Sequence, residues 1–357
     1  MPTDRQRAFQ GETCGETRLL PRARAALGRY YHVVRHDPAN PPADAPSRLS
    51  VLRLRAAARG TAVAFLLEGD IGRRRAITVG EKLRFLRRCQ RNPTVRIFLS
   101  DPRIGRAYGV GLREKLRLLW MFRRNARELE VLSSELEHVE LAAAVLRIPP
   151  SVRGDVIECG CYMGGSSANL SLACALVGRR LIICDSFEGL PEPADYDTAH
   201  EAVHIGHTDV YYKGRFAASL ELVKENLARY GNLEVCDFVV GFFDDSLRRF
   251  ERDVVMGFLD VDLIDSLRSC ITAIWPKLAP GCRLYVHEAY DIALVSMFFD
   301  AHWWQHALGT AAPGFVGTGA GLPLSAHYGS ELGYAQKGMM AVAAPTRAHD
   351  PVDADAR

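Results

Sequence analysis

The stretch Asp155–Asn169 constrains this chain more than any other. Val156, Ile157 and Cys159 make a short apolar strand, Gly160, Gly164 and Gly165 a turn, and Leu170, Leu172, Ala173, Leu176 and Val177 the apolar side of a helix. The glycines let the backbone bend sharply and leave room beside it for a ligand. Ser166 or Ser167 is expected to cap the helix. Exposed N–H groups at its start favour an anionic or carbonyl-bearing ligand. The spacing Gly-x-x-x-Gly-Gly is neither the usual dinucleotide fingerprint nor a phosphate loop.

From Gly154 to about Pro345 strand and helix alternate, the mark of a doubly wound, mostly parallel α/β sheet of Rossmann-like type. Strands are expected at Asp155–Cys159, Arg180–Cys184, Glu234–Val240, Val254–Val261, Arg283–His287 and Met339–Ala343. Helices are expected at Gly165–Val177, Arg215–Tyr230, Leu263–Leu278 and Ile292–His306. The segment Pro191–Gly214 interrupts the alternation and reads as a lid or binding loop. Gly317–Tyr328 is a second Gly-rich loop. Before this domain (151–345) comes a helical region (49–150), with helical spacing in Leu112–Met121 and Glu128–Leu146 and a cap candidate at Thr78. Residues 1–48 read as a poorly ordered or accessory segment, and 346–357 as a flexible tail.

Composition excludes several classes. A net charge of +3 over 357 residues is too mild to argue for nucleic acid. No stretch reaches the ~20 apolar residues of a membrane span, and the start lacks an apolar signal core. The 9 cysteines are scattered without a Cys-x-x-Cys pair, which suits buried, reduced thiols in a cytoplasmic protein. Arginines in 84–91 and 123–127 read as solvated helix faces.

The chemistry gathers at strand ends. Leu181–Cys184 runs into Asp185, whose carboxylate can accept hydrogen bonds from both hydroxyls of a ribose. Glu158 stands near the same edge, where it can meet an ammonium. Ribose and ammonium together suggest S-adenosylmethionine more than NAD. Asp260-Val261-Asp262 ends the fourth strand and His287-Glu288 the fifth. Clustered carboxylates repel, and a divalent cation would resolve the conflict, with Asp, Glu and His as ligands. The bland alternative is that Asp260 or Asp262 caps the helix from Leu263. His200, His204 and His207 read as a polar lid rather than a zinc site. Tyr290, Trp303 and Trp304 are either core or acceptor wall. No Gly-x-Ser-x-Gly elbow supports a hydrolase.

With these motifs in place, Asp155-Val-Ile-Glu-Cys-Gly-Cys-Tyr-Met-Gly-Gly-Ser-Ser, Cys184-Asp-Ser-Phe-Glu-Gly-Leu-Pro-Glu-Pro and Gly214-Arg-Phe-Ala-Ala-Ser-Leu-Glu resemble the macrocin O-methyltransferase family. Gly241-Phe-Phe-Asp-Asp-Ser-Leu, Leu259-Asp-Val-Asp-Leu and Trp275-Pro-Lys-Leu-Ala-Pro-Gly continue the match in the family's order. The resemblance implies a class I S-adenosylmethionine-dependent enzyme that methylates sugar hydroxyls of natural products. It implies a cofactor site of Glu158, Gly160, Gly164, Ser166, Asp185, Ser186 and Phe187, with Gly241, Phe242, Phe243 and Asp245 beside the adenine. It also implies magnesium or another divalent metal held by Asp260, His287 and Glu288, with Asp260 as general base. The acceptor would be a small hydroxylated, glycosylated molecule. Related enzymes often self-associate, so a homo-oligomer fits.

Two departures matter. The family has an Asp-Asp pair where His287-Glu288 stands, and Tyr-Glu-Ser where Ile264-Asp265-Ser266 stands. His-Glu carries one negative charge fewer and a softer nitrogen donor. Three outcomes follow: weaker metal binding, a shift to a transition metal, or loss of metal with His287 as the base. The rival readings are a non-catalytic S-adenosylmethionine-binding scaffold and an enzyme of different S-adenosylmethionine chemistry.

Overall fold

The computed structural model of the chain describes residues 79–199, 203–204, 207–208, 211–317 and 331–338. The segments 1–48 and 346–357, the Thr78 cap, the strand expected at Met339–Ala343 and most of the Gly317–Tyr328 loop lie outside the described residues. Helices α1 (Val79–Arg91), α2 (Pro93–Ser100), α3 (Leu112–Glu128) and α4 (Glu135–Arg147) precede β1 (Asp155–Cys159), α5 (Gly165–Val177) and β2 (Leu181–Asp185). The insertion carries a short helix α6 (Asp195–Ala199) and an antiparallel pair, β3 (Val203–His204) and β4 (His207–Thr208). Then follow α7 (Leu220–Tyr230), β5 (Cys236–Val240), α8 (Phe243–Ser246), β6 (Val254–Leu259), α9 (Ile264–Ile274), β7 (Leu278–Val286), α10 (Ile292–Ser296), α11 (Ala301–Leu308) and β8 (Gly333–Gln336).

The main sheet runs β5-β2-β1-β6-β7-β8. Its first five strands are parallel, and β8 pairs antiparallel with β7. The chain winds outward from β1 in both directions, so the switch point lies between β1 and β6, where sheets of this kind open a crevice. Val156, Ile157, Ile182, Ile183, Val254 and Phe258 are fully buried. That is why these strands read as apolar runs rather than alternations. Helices α2 to α4 share the same core: Phe98, Phe122, Val139 and Leu146 are buried with the strand residues.

Helix ends differ from expectation in ways that shape the site. Neither Ser166 nor Ser167 caps α5: Gly164, at φ 78°, holds the cap position and both serines lie buried in the first turn. The helix expected from Arg215 starts only at Leu220, where Ser219 Oγ accepts the Leu222 N–H at 3.2 Å. Arg215 and Phe216 are thereby left in the approach loop. The helix expected over Glu128–Leu146 breaks at Leu129, because Ser134 and Glu137 form a capping box that starts α4 anew. The helix expected over Ile292–His306 breaks at Asp300, whose carboxylate accepts the Trp303 N–H at 2.9 Å and opens α11. Neither Asp260 nor Asp262 caps α9. Its first N–H, on Ile264, donates instead to Asp197 Oδ1 at 3.1 Å, from the insertion.

Candidate active site

The hydrogen-bond ladder continues one rung past the strand ends. Gly160 N–H donates to the Cys184 carbonyl at 3.0 Å, Asp260 N–H to Cys159 and His287 N–H to Leu259, both at 2.9 Å. Gly241 N–H donates to Asp185 at 2.9 Å. This extra rung sets the tips of five strands side by side. Gly160 must be glycine: its φ is 83°, and a Cβ there would lie 1.8 Å from the Asp260 carbonyl oxygen.

Over these tips lies a cleft of ≈ 1260 Å³. Its floor holds Gly160, Asp185, Asp260, His287 and Glu288; Ser166 and Ser186 edge it, and Phe242 and Phe243 stand at its β5 side. The Asp185 carboxylate is already anchored. Oδ2 accepts the Cys161 N–H at 2.7 Å and Oδ1 the Phe187 N–H at 2.8 Å, which leaves one further lone pair on each oxygen. Those bonds pin the glycine turn to the end of β2.

The other end of the cleft is an acidic corner. His287 Nδ1 lies 2.5 Å from Glu288 Oε1 and 3.4 Å from Asp260 Oδ1. Its Nε2 faces Glu137 and Glu331, each at 3.7 Å. Burial alone would lower the imidazole pKa, but the charges of Asp260 and Glu288 outweigh it and raise it well above the usual histidine value. Burial also raises Glu288, so without a cation the two side chains hold a proton between them. Glu137 accepts the Ser134 N–H through Oε2 and the Glu331 N–H through Oε1, both at 2.7 Å. Against the cost of burial, the neighbouring imidazole and then the Ser134 donors keep Glu137 down to about 2. Asp262 is partly open to the cleft yet deep within it, and burial, then the Asp260 charge, lifts it to about 7. The donor atoms of Asp260, His287 and Glu288 all lie within 4.8 Å of one another.

With this geometry in hand, comparison with known proteins decides the family. The model of the macrocin O-methyltransferase family matches residues 133–308. The 8-demethyl-8-(2,3-dimethoxy-α-L-rhamnosyl)-tetracenomycin-C 4′-O-methyltransferase of Streptomyces olivaceus is 33% identical over 183 residues, covering 45% of this chain and 69% of its own. The chain belongs to the macrocin O-methyltransferase family. Among solved structures, the O-methyltransferase NovP aligns over 63% of this chain and 99% of its own, at 18% identity and a TM-score of 0.49. The calicheamicin methyltransferase CalS11 aligns over 75% and 97%, at 17% identity and 0.41. As a macrocin-type O-methyltransferase, the protein is an enzyme that draws its methyl group from S-adenosylmethionine.

Of the family-implied residues, Glu158, Gly164, Phe187, Gly241 and Asp245 do not line the cleft. Glu158 is fully buried behind the glycine turn, and burial pushes it up to about 8 against the opposing pull of the Ser166 and Ser167 hydroxyls. It reaches no cleft surface from which to meet an ammonium directly. Gly164 and Gly241 shape the loops at φ 78° and 129°. Phe187 packs against Phe238 with ring centroids 6.4 Å apart, and Asp245 faces solvent beside Arg248. The cleft also uses residues that sequence reasoning passed over: Glu130 to Ser133, Tyr162, Tyr211, Arg215, Phe216 and Glu331. The capping box at Ser134 was a readable signal for the break that frees Glu130 to Ser133.

Arg124 is not solvated: it is buried over the Tyr230 ring. Trp304 is core, its Nε1 donating to the Met297 carbonyl at 2.7 Å, whereas Tyr290 lines the cleft. His204 and His207 pair across β3 and β4, and His200 lies outside the described residues. The described cysteines are all buried and free. Among the described residues no helix is long and apolar enough to cross a membrane.

Proposed function

We propose that this enzyme methylates a sugar hydroxyl of a glycosylated small molecule, with Asp260 as general base and with Asp260, His287 and Glu288 as holders of a divalent cation. The observation that carries the reading is the meeting of those three side chains in the cleft opened by the Gly160 turn. The relative named for a rhamnosyl-bearing tetracenomycin supports a sugar hydroxyl as acceptor. The cleft exceeds the usual range of about 300–1,000 Å³ for a single small ligand, which suits a cofactor plus a bulky acceptor.

In this reading the free lone pairs of Asp185 take the ribose hydroxyls, and Phe242 and Phe243 flank the base. S-Adenosylmethionine supplies an electrophilic methyl group. Asp260, with about a quarter of its side chain exposed at 24%, is the carboxylate an entering hydroxyl can reach, and it takes the hydroxyl proton as the new O–C bond forms. His287 is the poorer base, because Glu288 Oε1 closes off Nδ1 at 2.5 Å. Much of the acceleration comes from holding nucleophile and methyl group close, since little charge develops on the methyl.

The residues fit a cation. Two oxygens and one imidazole nitrogen face a common point, and the far nitrogen is backed by Glu137 and Glu331, as metal-bound histidines usually are by a carboxylate. The nitrogen donor favours manganese, iron or zinc over magnesium. A bound cation would supply Lewis-acid charge that eases deprotonation of the acceptor. It would take the place of the proton between His287 and Glu288, so loading releases that proton.

The test is incubation with S-adenosylmethionine and a panel of rhamnosylated and other glycosylated polyketides, with manganese, magnesium or EDTA, read by mass spectrometry. An O-methylated sugar formed by the wild type and not by Asp260→Asn supports the reading. Transfer only to the aglycone, or full activity in Asp260→Asn, refutes it.

A further inference from the structure

Beside the first turn of α5 lies a buried run of polar side chains that the reaction above does not use. Arg124 Nε and Nη2 donate to Asn125 Oδ1 at 3.3 and 3.2 Å. Asn125 Nδ2 donates to the Tyr230 carbonyl at 2.9 Å and to Asn169 Oδ1 at 2.8 Å. A guanidinium can only donate and a carbonyl can only accept, so the amide of Asn125 has one permissible orientation. Asn169 Oδ1 then accepts, and its Nδ2 must donate. The partner of that Nδ2 at 2.7 Å is His138 Nδ1, which is therefore the bare nitrogen of the ring. The ring hydrogen sits on Nε2, 2.8 Å from Ser133 Oγ, and is donated to it. Burial holds this imidazole down to about 4, so it carries no second proton at neutral pH.

The consequence falls on Ser133. Its oxygen accepts from His138, so its own hydrogen is available to another acceptor. Ser133 lines the cleft, and its hydroxyl has no other hydrogen bond among the described residues. The segment carrying it lies against the start of α5: a Cβ on Gly165 would be 2.5 Å from Val131 Cγ2. The first N–H groups of that helix have no intrahelical partner, and Gly165 and Ser166 line the same wall. Beneath them Glu158, raised to about 8, is mostly protonated at neutral pH and does not repel an anion. An O–H donor beside the positive end of a 13-residue helix suits a carboxylate.

We propose that Ser133 is a cofactor-binding residue whose hydroxyl donates to the α-carboxylate of S-adenosylmethionine, its hydrogen aimed by the buried sequence Arg124, Asn125, Asn169 and His138. The inference rests on the cofactor lying over the Gly160 turn. Ser133 and Ser166, which line the same cleft, then bracket the amino-acid end of the cofactor.

The test compares two probes by isothermal titration on the full chain: S-adenosylhomocysteine, which has the carboxylate, and 5′-methylthioadenosine, which lacks it. Ser133→Ala should weaken S-adenosylhomocysteine about tenfold, as expected for one hydrogen bond to a charged group, and leave methylthioadenosine unchanged. Ser133→Thr, which keeps the hydroxyl, should retain most of the affinity. Equal weakening of both probes, or of neither, overturns the inference, because a residue that only shapes the wall cannot tell the two ligands apart. If the wild type bound neither probe, the cofactor placement itself would fall and this inference with it. Binding of both by the wild type, with Ser133→Ala indistinguishable from it, would remove the Ser133 role alone.

Discussion

At the amino ends of the strands, Asp155, Arg180, Asp237 and Arg252 form a chain of alternating charges; at the carboxyl ends, Asp260, Asp262 and Glu288 surround His287, with Glu137 and Glu331 behind it. In the first group each acid has a base. Arg252 reaches Asp155 and Asp237 at 2.6 Å each, and Arg180 also pairs with Asp237. In the second group acids outnumber bases, and His287 and Glu288 are almost wholly buried, with side chains 6% and 8% exposed. A balanced, half-exposed cluster is complete in itself and contributes modestly to stability. An unbalanced, buried cluster is complete only with a proton or a cation. The same strands thus carry a charge-balanced cluster at one end and an electrostatically incomplete corner at the other.

The sharpest way to break this contrast is at Asp260. Asp260→Asn should lower kcat by about 10²–10⁴-fold while circular dichroism and the melting curve stay near wild type. A comparable loss of folded protein would mean that the residue belongs to the scaffold. Next comes Gly160→Ala, which drives a methyl into the Asp260 carbonyl. It should cost about 3 kcal/mol or more in a urea titration, because backbone at positive φ must also bear a side chain.

Smaller effects sharpen the comparison. Glu137→Gln should weaken divalent-ion binding by about 10-fold, measured by titration with manganese, since it loosens the carboxylate behind His287. His287→Asp should move the metal preference toward magnesium, seen as a higher ratio of magnesium- to manganese-supported turnover. An unchanged ratio would show that position 287 does not touch the ion.

The smallest effect is expected at the amino-end cluster. Asp237 is held down from 3.8 to about 2, chiefly by its hydrogen bond to Arg180 and then by Arg252. Its folded value is depressed, so its contribution is present above pH 3.8 and disappears as pH falls toward 2. Asp237→Asn should therefore change stability at pH 7 by less than about 1 kcal/mol, leave turnover intact, and flatten the fall of melting temperature across that acid window. Loss of turnover would contradict the division of labour.

How much of this was written in the chain varies by region. β1, the glycine turn and α5 were legible because a strand period, a glycine cluster and a helix period follow one another within Asp155–Val177. The tips Asp185, Asp260 and His287 were legible because parallel strands end on one edge. The break between α3 and α4 was missed because helical spacing continues through it, although Ser134 and Glu137 carry the pattern of a helix start. Glu331 had no local signal: its place depends on a backbone N–H bonded to Glu137, 194 positions away in the chain. The burial of Glu158 has no local signal, because a carboxylate in a strand can face either the crevice or the packed helix, and strand period alone does not choose between them.

Composition and pattern determined the sheet, its direction and the order in which acidic tips appear along it, since those depend on short-range periodicity and on the way a βαβ unit must wind. Only the tertiary structure decided which side chains share a cavity, which carboxylates face the imidazole, and whether the hydroxyl hydrogen of Ser133 is left free to donate. These are questions of orientation and distance between residues far apart in the chain. Hydrogen-bond directions and desolvation are set by packing, and packing has no local spelling.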